Sequence, residues 1–119
     1  MGSIIKKKSF DFAVRIVNLN KFLQNEFKEY VLSKQVLRSG TSIGANIREA
    51  YNGEWDADFI HKLSIAQKEC NETLYWLELL NACEYLETKL FDSIYEDCNE
   101  VYKIVTSIIL TKKQNSKKP

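Results

Sequence analysis

The stretch QVLRSGTSIGANIREAYNGEWDADF, residues 35–59, constrains this chain more than any other. At 100° per residue, Val36, Leu37, Gly40, Ile43, Gly44, Ile47 and Tyr51 fall in one arc about 120° wide. The arc is apolar but small at its centre, so a neighbouring helix can come close there. An interior glycine costs a helix about 1 kcal/mol relative to alanine. The apolar period nevertheless runs unbroken across Gly40 and Gly44, which predicts one closely packed helix over 33–51. The alternative is that residues 39–44, SGTSIG, form a loop between two short helices. Asn52-Gly53 is expected to end the helix, with Gly53 in the left-handed conformation that a C′ position favours. Asp56 is then the expected N-cap of the next helix, with Trp55 and Ile60 as its hydrophobic staple. Glu54, Asp56 and Asp58 put negative charge at that helix's positive end.

The flanking sequence continues the same pattern. Ser9 is an expected N-cap, and Phe10, Ala13, Val14, Val17 and then Phe22 or Leu23 follow helical spacing over 9–27, with residues 1–8 loose. From Phe59 the apolar positions Leu63, Ala66, Cys70, Thr73, Leu77 and Leu80 alternate by four and three, a heptad seam in a helix over 57–83. Thr88 is placed as the cap of a fourth helix over 89–111, carried by Phe91, Ile94 or Tyr95, Cys98, Val101, Val105 and Ile108. Residues 112–119, KKQNSKKP, form a basic tail expected to be disordered. The 119 residues suit one domain. The expected fold is all-α, an up-down antiparallel four-helix bundle over 1–119. Ile65, Trp76 and Leu79 lie outside the heptad seam, and a monomer has little use for a second apolar face, so they predict a subunit contact. Ser39, Ser42 and Asn46 form a small, hydrogen-bonding flank of the second helix, suited to the same neighbour.

Catalytic chemistry fails on inventory. The chain holds one histidine, His61, and Cys70 lies half a turn round the same helix from it, out of reach for a Cys–His couple. Asp58-x-x-His61 would need a second such motif and further glutamates to build a di-iron site. Cys70, Cys83 and Cys98 lack zinc spacing and are expected to be free thiols. Glu69 and Glu72 sit one turn apart, and a solvated helix face beside Lys68 is their expected role. Gly40-x-x-x-Gly44 lacks the Lys-Ser/Thr of a phosphate loop. No enzyme, no metal and no cofactor are expected. No apolar run reaches membrane-spanning length. Asp11 and Arg15 interrupt any signal-peptide-like segment after Lys6–Lys8. A cytoplasmic protein is expected.

Binding is the remaining class. The net charge of +1 conceals an uneven distribution. Residues 1–53 carry nine Lys/Arg against four Asp/Glu, residues 54–111 carry four against twelve, and the tail adds four lysines. Lys6, Lys7, Lys8, Arg15, Lys34, Arg38 and Arg48 are therefore the candidate nucleic-acid-binding residues, since Lys and Arg contacts to phosphate are the generic route to RNA and DNA. The alternative is a protein–protein scaffold in which the basic and acidic halves pair between subunits.

The motif Gln35-x-x-Arg38-x-x-x-Ser42-Ile43-x-x-Asn46-Ile47-x-Glu49, then Asp58-Phe59, Leu63-x-Ile65-Ala66 and Asn71-Glu72-x-x-x-Trp76-Leu77, resembles a bacterial family. Its members are the small four-helix-bundle proteins encoded in intervening sequences of 23S rRNA genes, together with the accessory protein of diversity-generating retroelements. The resemblance spans nearly the whole chain. It implies a ring-forming homo-oligomer, a pentamer in the family's known arrangement. It also implies a basic surface that binds nucleic acid beside a reverse transcriptase or another protein partner. Arg38 matches a family arginine, and Asn46 and Glu49 match family polar positions. Arg48 and Ala50 stand where the family often has Ala and Gly, and the near-neutral charge departs from the family's strongly basic character.

Overall fold

The computed structural model describes residues 2–53 and 55–116. It contains four helices, α1 (Gly2–Phe27), α2 (Leu32–Tyr51), α3 (Asp56–Ala82) and α4 (Thr88–Ser116), and no strand among the described residues. Short connections turn each helix back along its predecessor, and each packs on the next, with α1 and α4 also in contact. The bundle measures 55 × 21 × 20 Å.

The α2 helix is continuous through both glycines. A β-carbon on Gly40 would lie 2.8 Å from two side-chain carbons of Ile16, and one on Gly44 would lie 3.3 Å from the Ser9 carbonyl oxygen. The glycines thus admit α1, and their missing side chains are what let the two backbones approach. The α3 seam is as expected: Leu63, Ala66, Cys70, Thr73, Leu77 and Leu80 are all buried, with Phe59 partly so. Ile94, Cys98, Val101, Val105 and Ile109 complete the core from α4.

The buried face of α1 departs from expectation. Ile5, Phe12, Ile16, Leu19 and Leu23 face the core, whereas Phe10, Val14 and Val17 are 55%, 47% and 36% exposed. The helix carries two apolar stripes, and periodicity alone does not choose between them. The fit of Ile16 and Ser9 onto the glycines of α2 does. Ile5 is fully buried, and burying it draws the first turns into the bundle, so α1 begins at Gly2 and residues 2–8 are helical, not loose. Ser9 is accordingly no N-cap; it lies buried within the helix, its hydroxyl donating to the Lys6 carbonyl at 3.1 Å.

Helix ends differ in the same way. No glycine has positive φ; the left-handed residues among those described are Lys28 (53°) and Glu84 (67°), in the α1–α2 and α3–α4 connections. Asn52, in right-handed geometry, caps α2 instead of the expected turn at Gly53. Asp56 is the first residue of α3, Trp55 takes the cap position without a side-chain bond, and at 73% exposure Trp55 leaves no buried staple. Glu54 lies outside the described residues, while Asp56 and Asp58 do occupy the first turn of α3. Thr88 opens α4 as its first residue, and α4 runs to Ser116, so residues 112–116 of the expected tail are helical and 117–119 lie outside the described residues. The start of α2 has a cap that the sequence hid. The Glu29 carboxylate accepts the N–H groups of Val31, Leu32 and Ser33 at 3.2, 3.0 and 2.8 Å.

Candidate nucleic-acid interface

An up-down bundle with four helices returns both chain ends to one end of the molecule. The first turns of α1 and the last turns of α4 therefore converge beside the α2–α3 connection. Lys6 sits 5.4 Å over the Tyr51 ring and Lys112 sits 5.5 Å over the Phe59 ring. Those two rings contact each other edge to face at 5.0 Å, which ties the lysines to one aromatic platform. Burial raises the Tyr51 pKa, so the phenol stays neutral beneath the lysine. Lys112 also pairs with Asp56 at 3.0 Å, and Lys7 pairs with Asp11 at 2.9 Å along α1. Lys113 is exposed in the last turn of α4, and Arg48 is exposed near the last turn of α2 with no ion-pair partner among the described residues. Lysines at an α-helix C-terminus, as on α4, are favoured by the helix dipole.

Three of the other candidate cations are paired within the chain. Lys8 reaches Glu100 of α4 at 3.0 Å. Arg15 donates to Asp97 at 2.7 Å and to the Ser93 hydroxyl at 2.8 Å. Arg38 bridges α2 to α3 through Glu72 and, at 3.5 Å, Glu69. Glu72 also accepts the Trp76 indole N–H at 3.1 Å. Glu69 and Glu72 are therefore anchors for Arg38 and not a free solvated face, a correction traceable to their position opposite α2. Lys34 is exposed near the start of α2, in the half of the bundle away from the chain ends. The seven candidate residues do not form one surface: Lys6, Lys7 and Arg48 belong to the basic end, Lys8 lies near it, and Arg15, Lys34 and Arg38 do not.

The expected subunit flank is also redistributed. Ser39 is fully buried and its hydroxyl is hydrogen-bonded to that of Thr73 at 2.9 Å, so it serves the α2–α3 contact and is unavailable to another subunit. Ser42 donates to the Ser39 carbonyl and Asn46 to the Ser42 carbonyl, both within α2. Ile65, Trp76 and Leu79 are each half-buried by their own chain. The exposed apolar residues that sequence reasoning assigned to the core, Phe10, Val14 and Val17, are the surface feature it missed.

His61 is exposed, and among the described residues no three His, Cys, Asp or Glu side chains converge as a metal site would require. Cys70 and Cys98 are buried free thiols and Cys83 is an exposed one. The Cys98 Sγ lies 3.7 Å from the Cys70 carbonyl oxygen. A hydrogen bond with the Cys70 side chain, then burial, pushes the Cys98 thiol far above its ordinary range. A thiol so held is inert as a nucleophile. No described helix is long and apolar enough to cross a membrane.

No curated protein matches the chain. A solved structure from Bacteroides thetaiotaomicron, of a protein with unknown function from the S23 ribosomal protein family, is similar to it with a TM-score of 0.90 and 60% identity. That similarity covers 91% of this chain and 96% of the other. The family of 23S rRNA-intervening sequence proteins matches residues 2–107. By this match, its four-helix architecture and the signature of α2 and α3, the chain belongs to the 23S rRNA-intervening sequence protein family.

Proposed function

We propose that this protein is a non-enzymatic, self-associating accessory protein that holds RNA or DNA by its phosphates at the basic end of the bundle. The observation that carries the reading is the convergence of Lys6 and Lys7 with Lys112 and Lys113, and of Arg48 beside them, at one end of a chain of net charge +1. Concentrating charge at one pole gives phosphate a local attraction that the net charge does not reveal. Assembly into a ring, with five copies as the family resemblance implies, would set several such ends on one rim and raise avidity without new contacts. A reverse transcriptase or similar nucleic-acid enzyme is the protein partner consistent with that role. The test is a salt titration with structured RNA and with duplex DNA. Affinity is expected to fall steeply and linearly in log–log form as salt rises, by about 0.9 in slope per phosphate contacted. Absence of binding at low ionic strength contradicts the proposal.

A scaffold without nucleic acid is the second reading, favoured by the uncovered stripe Phe10, Val14 and Val17. Its original form, with opposite charges pairing between subunits, loses part of its material, because Lys8, Arg15 and Arg38 meet Glu100, Asp97 and Glu72 inside one chain. The scaffold therefore rests on apolar contact, and such an assembly persists at high salt.

A further inference from the structure

We infer that the cavity between α1 and α2 seats one nucleotide of an unpaired strand, its base stacked on Phe10 and its phosphate held by Lys6 and Arg48. Resting on the phosphate binding proposed above for the basic end, this adds a place for the base.

The cavity holds about 450 Å³, within the roughly 300–1,000 Å³ common to small-ligand sites. The two helices run antiparallel, with Gly44 against Ser9, which sets Phe10 level with Gly44 and Lys6 level with Arg48. Ala13, Gly44 and Ala45 are too small to fill the space between the helices, so a hollow remains beside the Phe10 ring. Phe10 is 55% exposed and, unlike Phe22, Tyr51 and Phe59, contacts no other ring among the described residues. A ring open in this way can take any base, because every base has a π-face.

The charges beside the ring suit a phosphate. Neither Lys6 nor Arg48 has an ion-pair partner among the described residues. The Tyr51 ring, itself held by Phe59, positions the Lys6 ammonium without neutralising it. The planar guanidinium of Arg48 can grip two phosphate oxygens at once. Lys6 and Phe10 are one turn apart on α1, about 6 Å along the axis, so the phosphate and the base they would hold can belong to one nucleotide. One carboxylate lines the cavity, that of Glu49, and it reaches Lys62 of α3 at 3.5 Å. Asn52, exposed at the end of α2, adds an amide that can both donate to and accept from a base edge. The cavity between α1 and α4 has the opposite character: Asp11, Asp97 and Glu100 outnumber Lys8 and Arg15, and its one ring, Phe12, is buried. A paired base keeps its faces inside the duplex stack, whereas a base in a loop or single strand is free to lie on Phe10.

The test measures binding of the full chain at low salt to three labelled ligands by fluorescence anisotropy. They are a short DNA strand of mixed sequence, an abasic strand of the same length, and the first strand annealed to its complement. The strand is expected to bind about 5- to 150-fold more tightly than the abasic strand, the range that one stacked base supplies. Phe10→Ala should abolish that difference and leave abasic and duplex affinities unchanged, with helical circular dichroism as in wild type, and Phe10→Trp should restore it. Arg48→Gln should make the salt slope for the strand shallower by about 0.7. An abasic strand bound as tightly as the strand, or a difference that survives Phe10→Ala, overturns the seat for the base while phosphate binding stands. An equal loss on all three ligands in Phe10→Ala, as a subunit contact at Phe10 would give, overturns it too. A nucleoside monophosphate bound as tightly as the strand would make the ligand a free nucleotide and overturn the choice of a strand. Absence of binding to all three overturns phosphate binding and the seat together.

Discussion

Gly40 shows how much rests on a missing methyl. Gly40→Ala gains about 1 kcal/mol of helix propensity. It also drives a β-carbon to 2.8 Å from two carbons of Ile16, a β-branched and fully buried side chain with no room to rotate away. Overpacking of that kind costs about 1–3 kcal/mol, so the variant should be destabilised by roughly 1 kcal/mol net. A shift of the urea midpoint at unchanged slope would show it. Cys98 is felt through pH. Its folded pKa is raised, first by the hydrogen bond with Cys70 and then by burial, from an ordinary value of 9.0. The thiol's contribution is therefore complete below pH 9 and is lost as pH rises, because the unfolded chain releases a proton that the folded chain keeps. Wild-type stability should fall by up to about 1.4 kcal/mol more per pH unit above pH 9 than that of Cys98→Ala, as urea unfolding at pH 8 to 10 would measure. The glycine contact was legible in the sequence as a small-centred arc. The thiol pair was not, because Cys70 and Cys98 stand on different helices and only packing brings them together.

Among the helices, α3 and α1 make the contrast. The seam of α3 could be read directly because its apolar positions form one unbroken four-three series, Leu63 to Leu80, and the structure buries them all. The sequence of α1 carries two series, one through Phe12 and Ile16 and one through Phe10 and Val14, and local periodicity weights them alike. Only the α2 glycines, twenty and more residues away, decide which turns inward. Helix ends suffered from the same locality. Glu29 caps α2 through its longer side chain, folded back from a connection whose Lys28 is left-handed, a geometry that residue-type preferences do not announce. Glu29→Ala is expected to cost about 1–2 kcal/mol, within the range of cap removal. It should also free the α2 N–H groups of Leu32 and Ser33 to exchange faster in hydrogen-exchange measurements. Unchanged stability together with unchanged exchange would show that the carboxylate is not the cap.

Across the whole molecule, charge is sorted twice. Along the chain it alternates in blocks, basic through residue 53, acidic to 111, basic again at the tail. Folding then pairs three cations of the first block with the second, Lys8 with Glu100, Arg15 with Asp97 and Arg38 with Glu72, and brings the lysines near the two chain ends together. Composition exposed the blocks, but which cations remain for a partner depended on how four helices lie side by side. That is why Arg38, the cation that best matches the family signature, bridges two helices of its own chain, and why Lys112 and Lys113 enter the site from a stretch whose composition alone suggests a loose tail. The central claim concerns that basic end. It is tested most directly by comparing RNA affinity at low salt for wild type, for Lys6→Glu/Lys7→Glu/Lys112→Glu/Lys113→Glu, and for Arg38→Ala. The account predicts that the fourfold variant loses affinity and has a salt slope shallower by about 0.9 per phosphate contact removed, while Arg38→Ala binds as wild type does. Equal affinity for wild type and the fourfold variant, or a loss confined to Arg38→Ala, would contradict it.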